Sequence, residues 1–155
     1  MHKKTLLIVA HMPSDNTRRL GEALQRGATG TGDTGVQARL LSPFDTHPED
    51  VMQADGVVLM KPKNLGYMSG AFKDFLDRTC YPTLEHKQGL PYALVVRAGN
   101  DGRGTVSAVE RIVTGLRWKA AAPAMICRGE FQERFVEDCC ELGAAMAEGL
   151  DSGIL

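Results

Sequence analysis

Apolar residues along this chain follow two patterns: short unbroken runs, and longer stretches in which they recur every three or four positions. The runs are Thr5–Ala10 (TLLIVA), Asp55–Met60 (DGVVLM) and Tyr92–Val96 (YALVV). Each is too continuous for a strand with one wet face and too short for a helix, so each is predicted to be a strand covered on both sides. Val36–Leu41 alternates and predicts another strand, and Ala122–Cys127 a fifth. Helical spacing marks Leu20, Ala23, Leu24 and Gly27; Val106, Val109, Val113 and Leu116; and Phe131, Phe135, Cys139, Leu142, Met146 and Leu150. Pro48–Ala54 predicts a short helix. Another apolar stripe, Ala71, Phe72, Phe75, Leu76 and Cys80, has Ser69 as its cap and opposite charges four apart at Lys73–Asp77 and Asp74–Arg78. Strands alternating with amphipathic helices predict an α/β fold: a parallel sheet with helices on both faces and right-handed crossovers.

Three strand-to-helix loops fall on one edge of that sheet, where such folds bind ligands. In the first, Val9–Leu20 (VAHMPSDNTRRL), a buried run stops and a polar helix start follows. The opening N–H groups of a helix lack intrahelical partners and lie at the positive end of its dipole, so this stretch suits a phosphate, with Ser14, Asn16 and Thr17 as supplementary donors. Ser14 and Asn16 equally suit a plain helix cap. Neither GxGxxG nor GxxxxGK[ST] follows this strand, which argues against a Rossmann dinucleotide site and a P-loop NTPase here. The second loop is Lys61–Gly70 (KPKNLGYMSG) and the third Arg97–Gly104 (RAGNDGRG), whose glycines allow close approach to a ligand. Tyr81–Pro91 is a polar excursion between them.

Composition narrows the classes. With 155 residues and 43% hydrophobic content, one domain over residues 1–155 is expected. A net charge of -1 without long charge runs gives no footprint for nucleic acid, and no apolar segment reaches membrane-spanning length. The N-terminal apolar run is shorter than a signal core, so a soluble cytoplasmic protein is expected. Cys80, Cys127, Cys139 and Cys140 lack zinc or CxxC spacing and read as buried free thiols, and the scattered histidines give no metal site.

On HMPSDNTRRL, ADGVVLMKPKNLGYMSGAFKDFLDR and RAGNDGRG the chain resembles the flavodoxin-like, FMN-binding NAD(P)H-dependent oxidoreductases, from Lys4 to about Leu150. The resemblance implies a single-domain three-layer sandwich whose five-stranded parallel sheet has the order 2-1-3-4-5. It further implies that Ser14, Asn16 and Thr17 hold the FMN phosphate, that Pro62, Lys63, Asn64, Leu65 and Gly66 lie against the isoalloxazine, and that Gly99, Asn100, Asp101 and Gly102 reach its pyrimidine end. His11, Asp15 and Lys61 depart from the family pattern, Asp15 by placing a carboxylate in the phosphate loop.

The activity implied is electron transfer from NAD(P)H through FMN to a small acceptor such as a quinone, with Lys61, Lys63 and Arg97 as candidate cations for the reduced ring. The alternative is an electron carrier or redox-responsive binding module without NAD(P)H turnover. A phosphoacceptor domain needs an acidic cluster where this chain has Ala10-His11 and Met60-Lys61, and a cysteine phosphatase needs a thiol in the first loop. Relatives commonly form homodimers, for which Tyr67, Met68 and Trp118 are the apolar candidates.

Overall fold

The computed structural model describes residues 3–30, 35–62 and 70–155. Strands β1 (Lys4–Ala10), β2 (Val36–Leu41), β3 (Gly56–Pro62) and β4 (Pro91–Ala98) are joined by helices α1 (Asp15–Thr29), α2 (Pro48–Met52) and α3 (Gly70–Phe75). Helix α4 (Arg103–Gly115), the strand segments β5 (Lys119–Ala120) and β6 (Met125–Arg128), and α5 (Glu133–Ser152) complete the order. All pairings are parallel, and the sheet runs β2-β1-β3-β4-β5, the predicted 2-1-3-4-5 order, with β6 also paired to β4.

The unbroken apolar runs have the expected cause. In β1, β3 and β4 alternate side chains enter two separate cores. Leu7, Val9, Val57, Leu59, Leu94 and Val96 pack with Phe72, Phe75, Val109 and Val113 of α3 and α4. Leu6, Ile8, Val58, Met60, Ala93 and Val95 pack with Leu20, Leu24, Cys139, Met146 and Leu150 of α1 and α5. Phe72 and Phe75 are fully buried and meet edge to face with centroids 6.0 Å apart, so truncating either is expected to cost about 3–5 kcal/mol. Helices α1 and α5 approach closely through Gly27 and Gly143, where a Cβ would collide with the Cys140 and Leu24 carbonyls. Cys127 and Cys139 are buried free thiols, as expected, and Cys140 is half-buried.

The fifth strand is a correction. The Ala122–Cys127 strand is replaced by two segments, and Ala93 and Leu94 on β4 face four residues, Ala121 to Ala124, across the gap. Ala121 N–H still donates to the Tyr92 carbonyl at 2.8 Å, but Pro123 has no N–H to give, so regular pairing resumes only at Met125. Trp118 is also corrected as an interface candidate: only 7% exposed, it packs beside Tyr92 in the core. Tyr67 and Met68 lie outside the described residues.

Helix α3 runs on through a wider π-type turn, Leu76–Cys80, and a 3-10 turn, Tyr81–Thr83. Both i,i+4 charge pairs form, Lys73–Asp77 at 3.3 Å and Arg78–Asp74 at 2.8 Å. Arg78 also donates to the Thr46 and Pro43 carbonyls, which ties the turn after β2 to this helix.

Candidate functional site

Strand order reverses between β1 and β3. The chain leaving β1 passes to the α1 face and the chain leaving β3 to the α3 face, so a crevice opens at their carboxyl ends. The two strand ends stay in register, because His11 N–H donates to the Met60 carbonyl at 3.0 Å.

Ser14 is the N-cap of α1, in extended geometry (φ -138°, ψ 165°), and its hydroxyl accepts from the Thr17 N–H at 3.2 Å. Thr17 is 4% exposed, and its Oγ1 accepts from Ser14 N–H and contacts the Ser14 carbonyl, both at 3.0 Å. The Thr17 hydroxyl therefore closes a capping box instead of facing the crevice. Ser14 and Asn16 are exposed. The opening backbone N–H groups, at Asp15 and Asn16, are those a helix start leaves without intrahelical acceptors. Asp15 turns outward: its carboxylate pairs with Arg18 at 3.1 Å and its side chain is 87% exposed. The carboxylate anticipated within the phosphate loop is thus drawn towards a cation on the helix surface.

At the end of β3 stands a fully buried lysine. Lys61 has 0% exposure, among Val9, Leu59 and Val96 by strand register and alternation. Burial pushes its ammonium down to a pKa of about 8. Beside it, His11 is half-buried, with its ring edge-on to Phe44 at 6.3 Å. Burial first, and the Lys61 charge second, hold the imidazole below its ordinary pKa. Phe44 is 61% exposed and gives the crevice an apolar rim. Sequence reasoning marked Lys61 only as an unusual residue and a candidate cation. The signal of its burial was its place in GVVLMKP, inside a strand whose alternate residues all face a core. Pro62 is half-buried and pairs in register with Arg97. Lys63, Asn64, Leu65 and Gly66, with the Ser69 cap, fall outside the described residues.

Arg97 does not face the crevice as a free cation. Its guanidinium donates to the Ala98 and Cys127 carbonyls at 2.8 and 3.0 Å. It also lies over the rings of Phe135 and Phe131, at 5.3 and 5.8 Å. It braces β4 against β6 and the start of α5.

In the third loop Gly99 and Asn100 are exposed. Asp101 is paired with Arg103 at 2.6 Å and lies 3.9 Å from Arg128. The Arg103 hydrogen bond holds its carboxyl below the usual carboxylate range. Gly102, the N-cap of α4, has φ 86°, and a Cβ there would sit 3.0 Å from Ile126 and 3.1 Å from Ala98. Packing and backbone conformation are thus enough to require glycine at this position, whereas Gly99 has open space around it.

Comparison with known proteins bears on the family and the fold. The family described as NADPH-dependent FMN reductase matches residues 42–125. A flavodoxin of Aquifex aeolicus is 31% identical over 72 residues, which is 46% of this chain and 38% of that relative's length. Among solved structures, an archaeal flavodoxin superposes with TM-score 0.79 at 18% identity, covering 93% of this chain and 96% of its own. Two-electron reduced Megasphaera elsdenii flavodoxin superposes with TM-score 0.76 at 19% identity, covering 92% and 98%. With more than half its length matched by that family, and the sheet order and switch-point crevice to go with it, this chain belongs to the NADPH-dependent FMN reductase family and has its flavodoxin-like, FMN-binding fold.

Proposed function

We propose that the chain is a flavoprotein oxidoreductase that binds FMN at the β1/β3 crevice, accepts reducing equivalents from NAD(P)H and passes them to a small acceptor such as a quinone. The observation that carries this reading is the coincidence of the family match with an exposed helix start at the switch point.

The residues present fit the cofactor. The first turn of α1 offers backbone donors and the positive end of a 15-residue helix, and Asp15 turns away towards Arg18. In this reading Ser14 and Asn16 add side-chain donors, and Thr17 contributes by fixing the turn. Pro62, with Lys63, Asn64, Leu65 and Gly66 of the second loop, flanks the ring in this reading. Gly99, Asn100, Asp101 and Gly102 border its pyrimidine end, and Arg103 draws off the Asp101 charge. Bound FMN supplies hydride acceptance at N5, and the protein supplies position, electrostatics and an open face.

A second reading is an electron carrier without NAD(P)H turnover, and the stretch 31% identical to a flavodoxin favours it. Anaerobic mixing of FMN-loaded protein with NADPH or NADH separates the two. Bleaching of the flavin without a partner reductase is expected, and a flavin that stays oxidised would leave the carrier.

A further inference from the structure

The most unusual group in the fold is the Lys61 ammonium, fully buried at the end of a central strand where the cofactor edge begins. Burying a cation penalises its charged form, and a negative charge arriving nearby restores it. The electrostatic surroundings narrow what this residue does. On β1, His11 faces Lys61 and is itself pushed towards neutrality. On β4, Arg97 is turned to the opposite face and held by two carbonyls. Lys73 and Asp74 of α3 are exposed and engaged with Asp77 and Arg78. Asp45, on the turn carrying Phe44, is exposed and held by Ser42. Among the described residues, no other cation is buried at this edge.

We propose that Lys61 is the charge-compensating residue of the flavin site, taking up a proton as the bound cofactor becomes negatively charged on reduction. This rests on the FMN reading above and extends it to a proton-coupled step. The balance is simple. Were bound FMN to accept a hydride, as one proton nucleus and an electron pair, one negative charge would be added at the site, and the neutral Lys61 amine would take one proton from solvent to balance it. Burial puts the Lys61 pKa at about 8 in the cofactor-free chain, and below the value it takes in the oxidised, FMN-loaded protein the amine is already protonated. There reduction takes up one proton per two electrons. Above that pH the anion raises the Lys61 pKa, so reduction takes up two until the raised value is passed.

Electrochemical titration of FMN-loaded protein across pH reads this without NAD(P)H. Over the range in which the reduced ring is anionic, the midpoint potential of the wild type should fall with pH at one slope below the Lys61 pKa of the oxidised, FMN-loaded protein and at twice that slope above it. Over that same range Lys61→Met and Lys61→Arg should both show the single slope, the first because no proton is taken by the side chain and the second because the charge never leaves. An unbroken line in the wild type, or the same break in both variants, overturns the proposal. NMR titration of the Lys61 side chain in wild-type protein gives a second readout. Its pKa should rise on reduction of the flavin, and an unchanged value also overturns the proposal. Failure of FMN to bind would refute the functional reading and this inference together, whereas binding with an unbroken line refutes this inference alone.

Discussion

Replacing Lys61 with methionine is expected to stabilise the cofactor-free protein at neutral pH, an advantage that fades as the pH rises. Methionine keeps the length of the side chain and removes the charge, so the packing around Val9, Leu59 and Val96 is disturbed little. Burial lowers the lysine from 10.5 to about 8, which corresponds to about 3 kcal/mol. Losing the polar contacts of the amine offsets part of this, so a net gain of about 1–3 kcal/mol is expected near neutral pH. The sign follows from linkage. Below about 8 both folded and unfolded chains carry the charge, and the folded one bears the whole penalty. Between about 8 and 10.5 the unfolded chain binds more protons, so wild-type stability rises with pH and the variant loses its lead. Urea unfolding of both proteins at about pH 7 and about pH 10, with equal m-values as a check, measures the difference. No gain at the lower pH, or the same gain at both, would refute the reasoning.

Two other substitutions separate structural from functional roles. Gly102→Val should lower stability by about 1–3 kcal/mol, because it forces a β-branched residue to positive φ against Ile126 and Ala98; thermal unfolding shows this as a reduced Tm. Arg97→Gln should cost about 1–2 kcal/mol in denaturant unfolding through its lost carbonyl and aromatic contacts. Its FMN affinity should not change, since the guanidinium is turned to the α5 face.

What the sequence made legible was the part governed by repetition. Buried runs such as TLLIVA and YALVV needed only their continuity to show strands covered on both sides. The α3 helix was marked by a five-residue stripe with two charge pairs. The sheet order came from the resemblance, carried by motifs at three loops. What escaped depended on single side chains meeting distant partners. Pro123 breaks the fifth strand only because its missing N–H falls opposite β4. Arg97 looked like a loop cation until Phe131, Phe135 and the Cys127 carbonyl came to it from the far end of the chain. Thr17 looked like a free donor, but its hydroxyl is used three residues away, by Ser14. Trp118, an apolar candidate for an interface, sits in the core against Tyr92.

The central claim is that this crevice holds FMN by its phosphate at the start of α1, and parallel titrations with FMN and riboflavin, followed by quenching of flavin fluorescence, test it most directly. Wild-type protein should bind FMN at one site and more tightly than riboflavin. Asn16→Glu places an opposing charge on the exposed first turn, and at about 4 Å in water-like surroundings this is worth about 1 kcal/mol, or about fivefold in affinity. That loss should fall on FMN and leave riboflavin almost untouched. Equal affinity for the two ligands in the wild type, or an equal loss for both in the variant, would contradict it.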